Sequence, residues 1–129
     1  MEKQDFIAKI KQLSETIEKI SDKISNEEQT KNALIMPFFM SLGYNIFDPT
    51  EFIPEFTADV GIKKGERVDY AIQLNDAIAI LIEAKELGSD LNNHSSQLQR
   101  YFNVTDAKFS ILTNGDEYRF FTDLDKPNI

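Results

Sequence analysis

Residues 68–85 read VDYAIQLNDAIAILIEAK, and the fold turns on how this stretch is divided. Val68 to Leu74 and Ala77 to Lys85 form two strand-like runs joined across Asn75-Asp76, which predicts a hairpin. The second run is apolar on both faces until its last three residues, so it belongs in a sheet interior with its C-terminal end emerging. Side chains alternate along a strand, so Glu83 and Lys85 share one face while Ile82 and Ala84 point to the other. Asp69, on the first strand, stands opposite Glu83 only if the numbers of paired residues sum to an even value. A three-residue loop of Asn75 to Ala77 gives that register. A two-residue loop pairs Asp69 with Ile82 and sends it to the wrong face, unless a bulge near Asp69 restores the alternation.

Two carboxylates opposed on a sheet repel and call for a cation. Magnesium, or manganese in its place, suits hard oxygen donors, accepts one or two carboxylates and leaves room for water and substrate phosphate. Lys85 would then orient a water or neutralise charge on the phosphate, and the reaction class is phosphodiester hydrolysis. The plainer alternative is a surface ion pair between Glu83 and Lys85, of little energetic worth.

Outward from this hairpin the period is helical towards the N-terminus. Phe6, Ile10, Leu13, Ile17, Ile20 and Ile24 alternate in steps of four and three, which predicts a long first helix with a heptad seam over residues 1–24. That seam is buried either against a second copy, as a homodimer, or against the following domain, residues 25–129. Ser25-Asn26 offers a break with an N-cap, Glu27 and Glu28 favour a helix start, Ala33 to Leu42 give an apolar face and Gly43 a C-terminal cap. Pro37 sits inside this pattern and conflicts with an unbroken helix. Tyr44 to Phe47 and Phe52 to Ala58 read as edge strands or loops, because Asp48-Pro49 and Pro54 interrupt them. A further helix is expected from Ser89 or Asp90 to about Asn103, then two strands, Phe109 to Thr113 and Glu117 to Thr122, around Asn114-Gly115. The order predicts an α/β fold: one mixed β-sheet flanked by helices.

Composition narrows the chemistry. The 129 residues contain no cysteine and one histidine, His94, which excludes disulfides, thiolate zinc sites and paired-histidine metal sites. His94 reads as a solvated helix residue. The sequence has no long apolar run and no secretory pattern, so a cytoplasmic setting without membrane contact is expected. A net charge of −8 argues against broad attraction to a phosphate backbone. The local run Lys63-Lys64-Gly65-Glu66-Arg67 is a candidate basic patch or a solvated turn.

Glu83-Ala84-Lys85 after a strand, Asp69-Tyr70 on the strand before it and Gln97 to Tyr101 on the next helix together resemble the N-terminal nuclease domain of type I restriction enzyme R subunits. Leu42-Gly43-Tyr44, Pro54 to Asp59, Ile111 to Gly115 and Phe120 to Asn128 are similar to shorter prophage-type and bacterial proteins bearing that domain, a likeness spanning about residues 25–129. The resemblance implies a restriction-endonuclease-like fold of the PD-(D/E)xK superfamily and a metal-dependent DNA endonuclease. It implies metal binding by Asp69 and Glu83, a catalytic Lys85, and a Q-x-x-x-Y element in Gln97 and Tyr101. Glu28 best fits a helical metal-binding glutamate, with Glu55 second; a capping role for Glu28 and a packing role for Tyr101 are the alternatives. The implied partners are DNA, restriction-modification subunits and a further C-terminal region. No GxxxxGK[ST] loop occurs, so no ATP-driven motor is expected here. A non-catalytic nucleic-acid-binding or scaffold module that keeps the fold is the rival reading.

Overall fold

The computed structural model describes residues 3–57, 67–92 and 94–122. Five strands form one sheet in sequence order: β1 (Phe52–Phe56), β2 (Val68–Leu74), β3 (Ala77–Ala84), β4 (Phe109–Thr113) and β5 (Tyr118–Thr122). All neighbours are antiparallel except β3 and β4, which are parallel and therefore need a crossover. Helix α4 (Ser96–Val104) makes it. The mixed sheet with helical cover is thus an α/β fold, as the order of patterns predicts. Among the described residues no helix is long and apolar enough to cross a membrane.

The sheet has two apolar faces. Tyr70, Ile72, Ile82, Ala84 and Ile111 pack with Ile35, Phe39 and Phe52 on one side. Ala71, Leu81 and Leu112 pack with Leu91, Leu98 and Tyr101 on the other. β3 and β4 are covered on both faces, which accounts for the unbroken aliphatic run that ends at Glu83.

Helix α1 (Lys3–Ile20) carries the heptad seam and is followed by a 3-10 turn, Ser21–Lys23. Asn26 then caps α2 (Glu27–Thr30), its side chain accepting the Gln29 N–H at 2.8 Å, while the Gln29 side chain accepts the Ser25 N–H at 2.7 Å. The conflict posed by Pro37 is resolved by a change of helical pitch. Lys31–Ile35 is a π-helical segment closed by Met36 N–H to Lys31 O, and α3 (Met36–Ser41) begins with Pro37 in its first turn. The wider π turn directly before Pro37 is where a continuous helix can accommodate a residue that lacks an N–H. Gly43, at φ +103°, ends α3: its N–H reaches Met40 O, Tyr44 N–H reaches Phe39 O, and the Tyr44 and Phe39 rings meet at 6.4 Å. This is the Schellman pattern of a glycine C-cap.

Of the two segments expected as edge strands or loops, Tyr44 to Phe47 is a loop, with Asn45, Asp48 and Glu51 side chains accepting from backbone N–H groups, and Phe52–Phe56 is strand β1, while Ala58 lies outside the described residues. One expectation is corrected. The helix expected from Ser89 or Asp90 begins only at Ser96. Asp90 instead closes a local turn by accepting Asn92 N–H at 2.9 Å, and Ser89 N–H is bonded to Glu86 O. His94 is therefore an exposed loop residue.

Candidate metal and nuclease site

The register of β2 and β3 decides the site. Leu74 pairs with Ala77 and Gln73 with Ile78, so the loop has two residues, Asn75 and Asp76, at φ +53° and +65° as a type I′ turn requires. Continued unchanged, that register would put Asp69 opposite Ile82. Between Gln73 and Ile72 it shifts, so that Ile72 pairs with Ile80 and Tyr70 with Ile82. Ala79 is the extra residue of a bulge, its carbonyl accepting Lys108 N–H at 3.1 Å. Ile78 consequently faces the α4 side and Ile80 the opposite side, although they are two residues apart. Asp69 arrives across from Glu83. The correction arises at the turn end of the hairpin, not near Asp69.

The pair is tightly held. Asp69 Oδ2 accepts Ala84 N–H at 2.7 Å, and Glu83 Oε1 accepts Asp69 N–H at 3.3 Å. The Glu83 side chain is 8% exposed and that of Asp69 17%. Burial, followed by the Asp69 charge, pushes the Glu83 carboxyl from its ordinary 4.5 up to about 8; the Lys85 charge opposes this less strongly. Lys85 follows on the backbone bond from its N–H to Thr113 O, and its Nζ stands 3.9 Å from Glu83 Oε2 with the side chain 29% exposed. Asp69, Glu83 and Lys85 therefore meet at one end of the sheet.

Gln97 and Tyr101 lie a helical turn apart on α4. Gln97 Nε2 donates to the Arg67 carbonyl, fixing the backbone two residues before Asp69. Tyr101 is fully buried, its ring edge-on to Phe56 at 6.3 Å. Glu55 is exposed at φ +50° and paired to Arg67 at 2.9 Å. Glu28 is 75% exposed on its side chain and touches the site only through a lysine. Among the described residues no group of three or more histidine, aspartate or glutamate side chains is placed to hold an ion. Lys63 to Glu66 lie outside the described residues.

That lysine is Lys31, which sequence reasoning missed. Its side chain, 11% exposed, passes 5.8 Å over the Tyr70 ring and sets Nζ 2.7 Å from Asp69 Oδ1, 3.3 Å from Glu28 Oε1 and 3.6 Å from Glu27 Oε2. Burial lowers its hold on the proton, but the bond to Asp69 and that carboxylate's charge outweigh burial and hold the ammonium charged. A signal was present: Lys31 stands three and four residues before the core residues Leu34 and Ile35, a charge on an apolar stripe.

The carboxylate pair suits a divalent cation. Two oxygen donors face each other, and burial makes Glu83 reluctant to ionise, a cost that a hard divalent ion would offset by favouring the charged form. Comparison with curated proteins gives no match, and comparison with solved structures gives none. The family model described as type I restriction enzyme R protein N terminus matches residues 55–129, which takes in Asp69, Glu83, Lys85, Gln97 and Tyr101 but leaves out Lys31, Glu28 and the rest of residues 25–54. With more than half of its length in that match, the chain belongs to the type I restriction enzyme R protein N-terminal family.

Proposed function

We propose that the chain is a metal-dependent endonuclease module that hydrolyses DNA phosphodiester bonds alongside other restriction-modification subunits. The observation that carries this reading is the placement of Asp69 opposite a buried Glu83 whose proton affinity is raised. Asp69 and Glu83 would hold Mg2+ or Mn2+. Such an ion supplies charge stabilisation at the phosphate and a lowered pKa for water. The protein contributes the rest. Lys85, partly exposed beside Glu83, offers its ammonium to the phosphate oxygens that gain charge. Gln97 holds the backbone leading into Asp69, so its part is positional, and Tyr101 stabilises the packing beneath.

Incubation of supercoiled plasmid with Mg2+ and the chain tests the proposal. Nicking is expected, reduced about 100-fold or more in Lys85→Ala and in Asp69→Ala, on the scale of losing one group that stabilises transition-state charge. Equal cleavage by the variants means a contaminating nuclease. A folded wild-type chain that retains DNA in a gel yet leaves it uncut with Mg2+ overturns the enzyme reading in favour of a non-catalytic binding module.

A further inference from the structure

Lys31 holds its ammonium against the very carboxylate that the proposed function gives to the cation. Asp69 Oδ2 already accepts the Ala84 N–H at 2.7 Å, and Lys31 Nζ stands 2.7 Å from Oδ1, so an ion reaching this carboxylate meets the ammonium on it. Two cations on one carboxylate oxygen repel, and at a partly desolvated position solvent screens that repulsion poorly. A divalent ion therefore reaches Asp69 at full strength only if the ammonium withdraws. Two other carboxylates are within its reach. Glu28 and Glu27 already lie 3.3 and 3.6 Å from Nζ, with side chains 75% and 44% exposed against 17% for Asp69, and the flexible lysine stem permits the swing.

The backbone beneath Lys31 is held at both sides. Thr30 Oγ1 accepts Leu87 N–H at 3.0 Å, and Gly115 abuts Thr30 and Leu34 so closely that an added Cβ would stand 3.0 Å from Leu34 Cδ1. With the backbone held there, a withdrawal of the ammonium falls to the side chain. We infer that Lys31 is a resident counter-ion of Asp69 that competes with the divalent ion and is handed to Glu27 and Glu28 when that ion binds. The inference rests on the metal reading of Asp69 and Glu83. It gives the ammonium a positioning role: it keeps Asp69 and Glu83 folded together before an ion arrives.

Calorimetric titration of Mn2+ into the full chain, with thermal unfolding in EDTA and in Mn2+, tests this. Lys31→Met is expected to bind Mn2+ on the order of tenfold more tightly than wild type, to melt lower in EDTA and to regain more on adding Mn2+. Lys31→Gln keeps a donor to Asp69 without the charge; it should also bind more tightly, and it serves where the methionine variant does not fold in EDTA. Glu27→Gln with Glu28→Gln should weaken binding in the wild-type background but not in the Lys31→Gln background. A weakening that persists there puts the glutamates on the ion itself and overturns the handover. Folded Lys31 variants that bind Mn2+ no more tightly than wild type overturn the competition. Failure of the underlying metal reading looks different, because Asp69→Asn would then leave the titration unchanged, and the inference falls with it.

Discussion

Glu83 binds its proton more tightly in the folded chain than in an unfolded one, because folding removes it from water and sets it beside Asp69. The sign for stability follows by linkage. Between the ordinary 4.5 and about 8 the native state carries the extra proton, so the contribution of this group is complete below 4.5 and is lost as pH rises through about 8. The charges around it are Asp69 on β2, Lys85 on its own strand and Lys31 from the helical side, and Lys31 keeps its proton throughout this range. Urea unfolding at a series of pH values should therefore show the midpoint falling across that window, and Glu83→Gln should flatten the fall. A wild-type midpoint that rises with pH there would remove the claim that Glu83 is a strained carboxylate. The legibility of these residues was uneven. Glu83 and Lys85 stand out at the end of an aliphatic strand, but a surface ion pair explains them equally well, and only the resemblance joins Asp69 to them, whereas Lys31 sits among polar helix residues and is betrayed only by its spacing to Leu34 and Ile35. Gln97 and Tyr101 were legible as one helical face, and the packing of Tyr101 as an alternative to a site role, but not the bond of Gln97 to the Arg67 carbonyl.

At the scale of elements, the hairpin's existence was legible and its register was not. Thirteen residues separate Asp69 from Glu83, and with a two-residue turn that number obliges one residue to be left over. Nothing in Ala77-Ile78-Ala79-Ile80 marks which one, since small and β-branched residues alternate evenly. The consequence is testable. Deleting Ala79 should convert the bulged hairpin into a regular one that still pairs Ile72 with Ile80 and Asp69 with Glu83, so Mn2+ binding should survive; a folded deletion variant that no longer takes up Mn2+ would show that the bulge shapes the site. The same reasoning explains why α4 starts late: Asp90 has a backbone N–H two residues on to bond, and that local turn competes with helix. The π-helical segment was announced by Pro37 without its form being readable. It turns Thr30, Lys31, Leu34 and Ile35 inward together, and the β4–β5 turn locks it through Gly115, at φ +89° and in contact with Thr30 and Leu34. Gly115→Ala should cost about 1–3 kcal/mol from strain and overlap. Thr30→Val, which strands the Leu87 N–H, should cost about 1–3 kcal/mol as well. Both are read from urea midpoints, and a neutral result for both would mean that this end of the helix is held by something other than the turn.

For the molecule as a whole, the question is what the first helix adds. A net charge of −8 gives the chain little long-range pull on DNA, which fits a catalytic module brought to its target by other subunits rather than one that searches alone. Helix α1 does not alter that balance, nor does it join the core: no residue of it is buried, and neither apolar cluster includes one. Its seam nevertheless faces this chain's own helices. Leu13 and Thr16 look onto Ala33, Pro37 and Met40 across a gap of about 400 Å3, and Ile10 and Ile17 onto Leu34 and Phe38 across one of about 270 Å3. Side chains that border gaps lack contacts on one side, so this docking is weaker than its apolar content suggests. Three heptads are also short for a stable two-chain coil, which favours the contact in cis. Removal of residues 1–24 should leave the sheet folded, with cooperative urea unfolding, and cost roughly 1–3 kcal/mol for the half-buried seam. Sedimentation should give the mass of one chain before and after truncation. A full-length dimer that becomes a monomer on truncation would assign the seam to a second copy, and a truncated chain without cooperative unfolding would make α1 part of the core. Either result would change what is counted as the domain that carries Asp69 and Glu83.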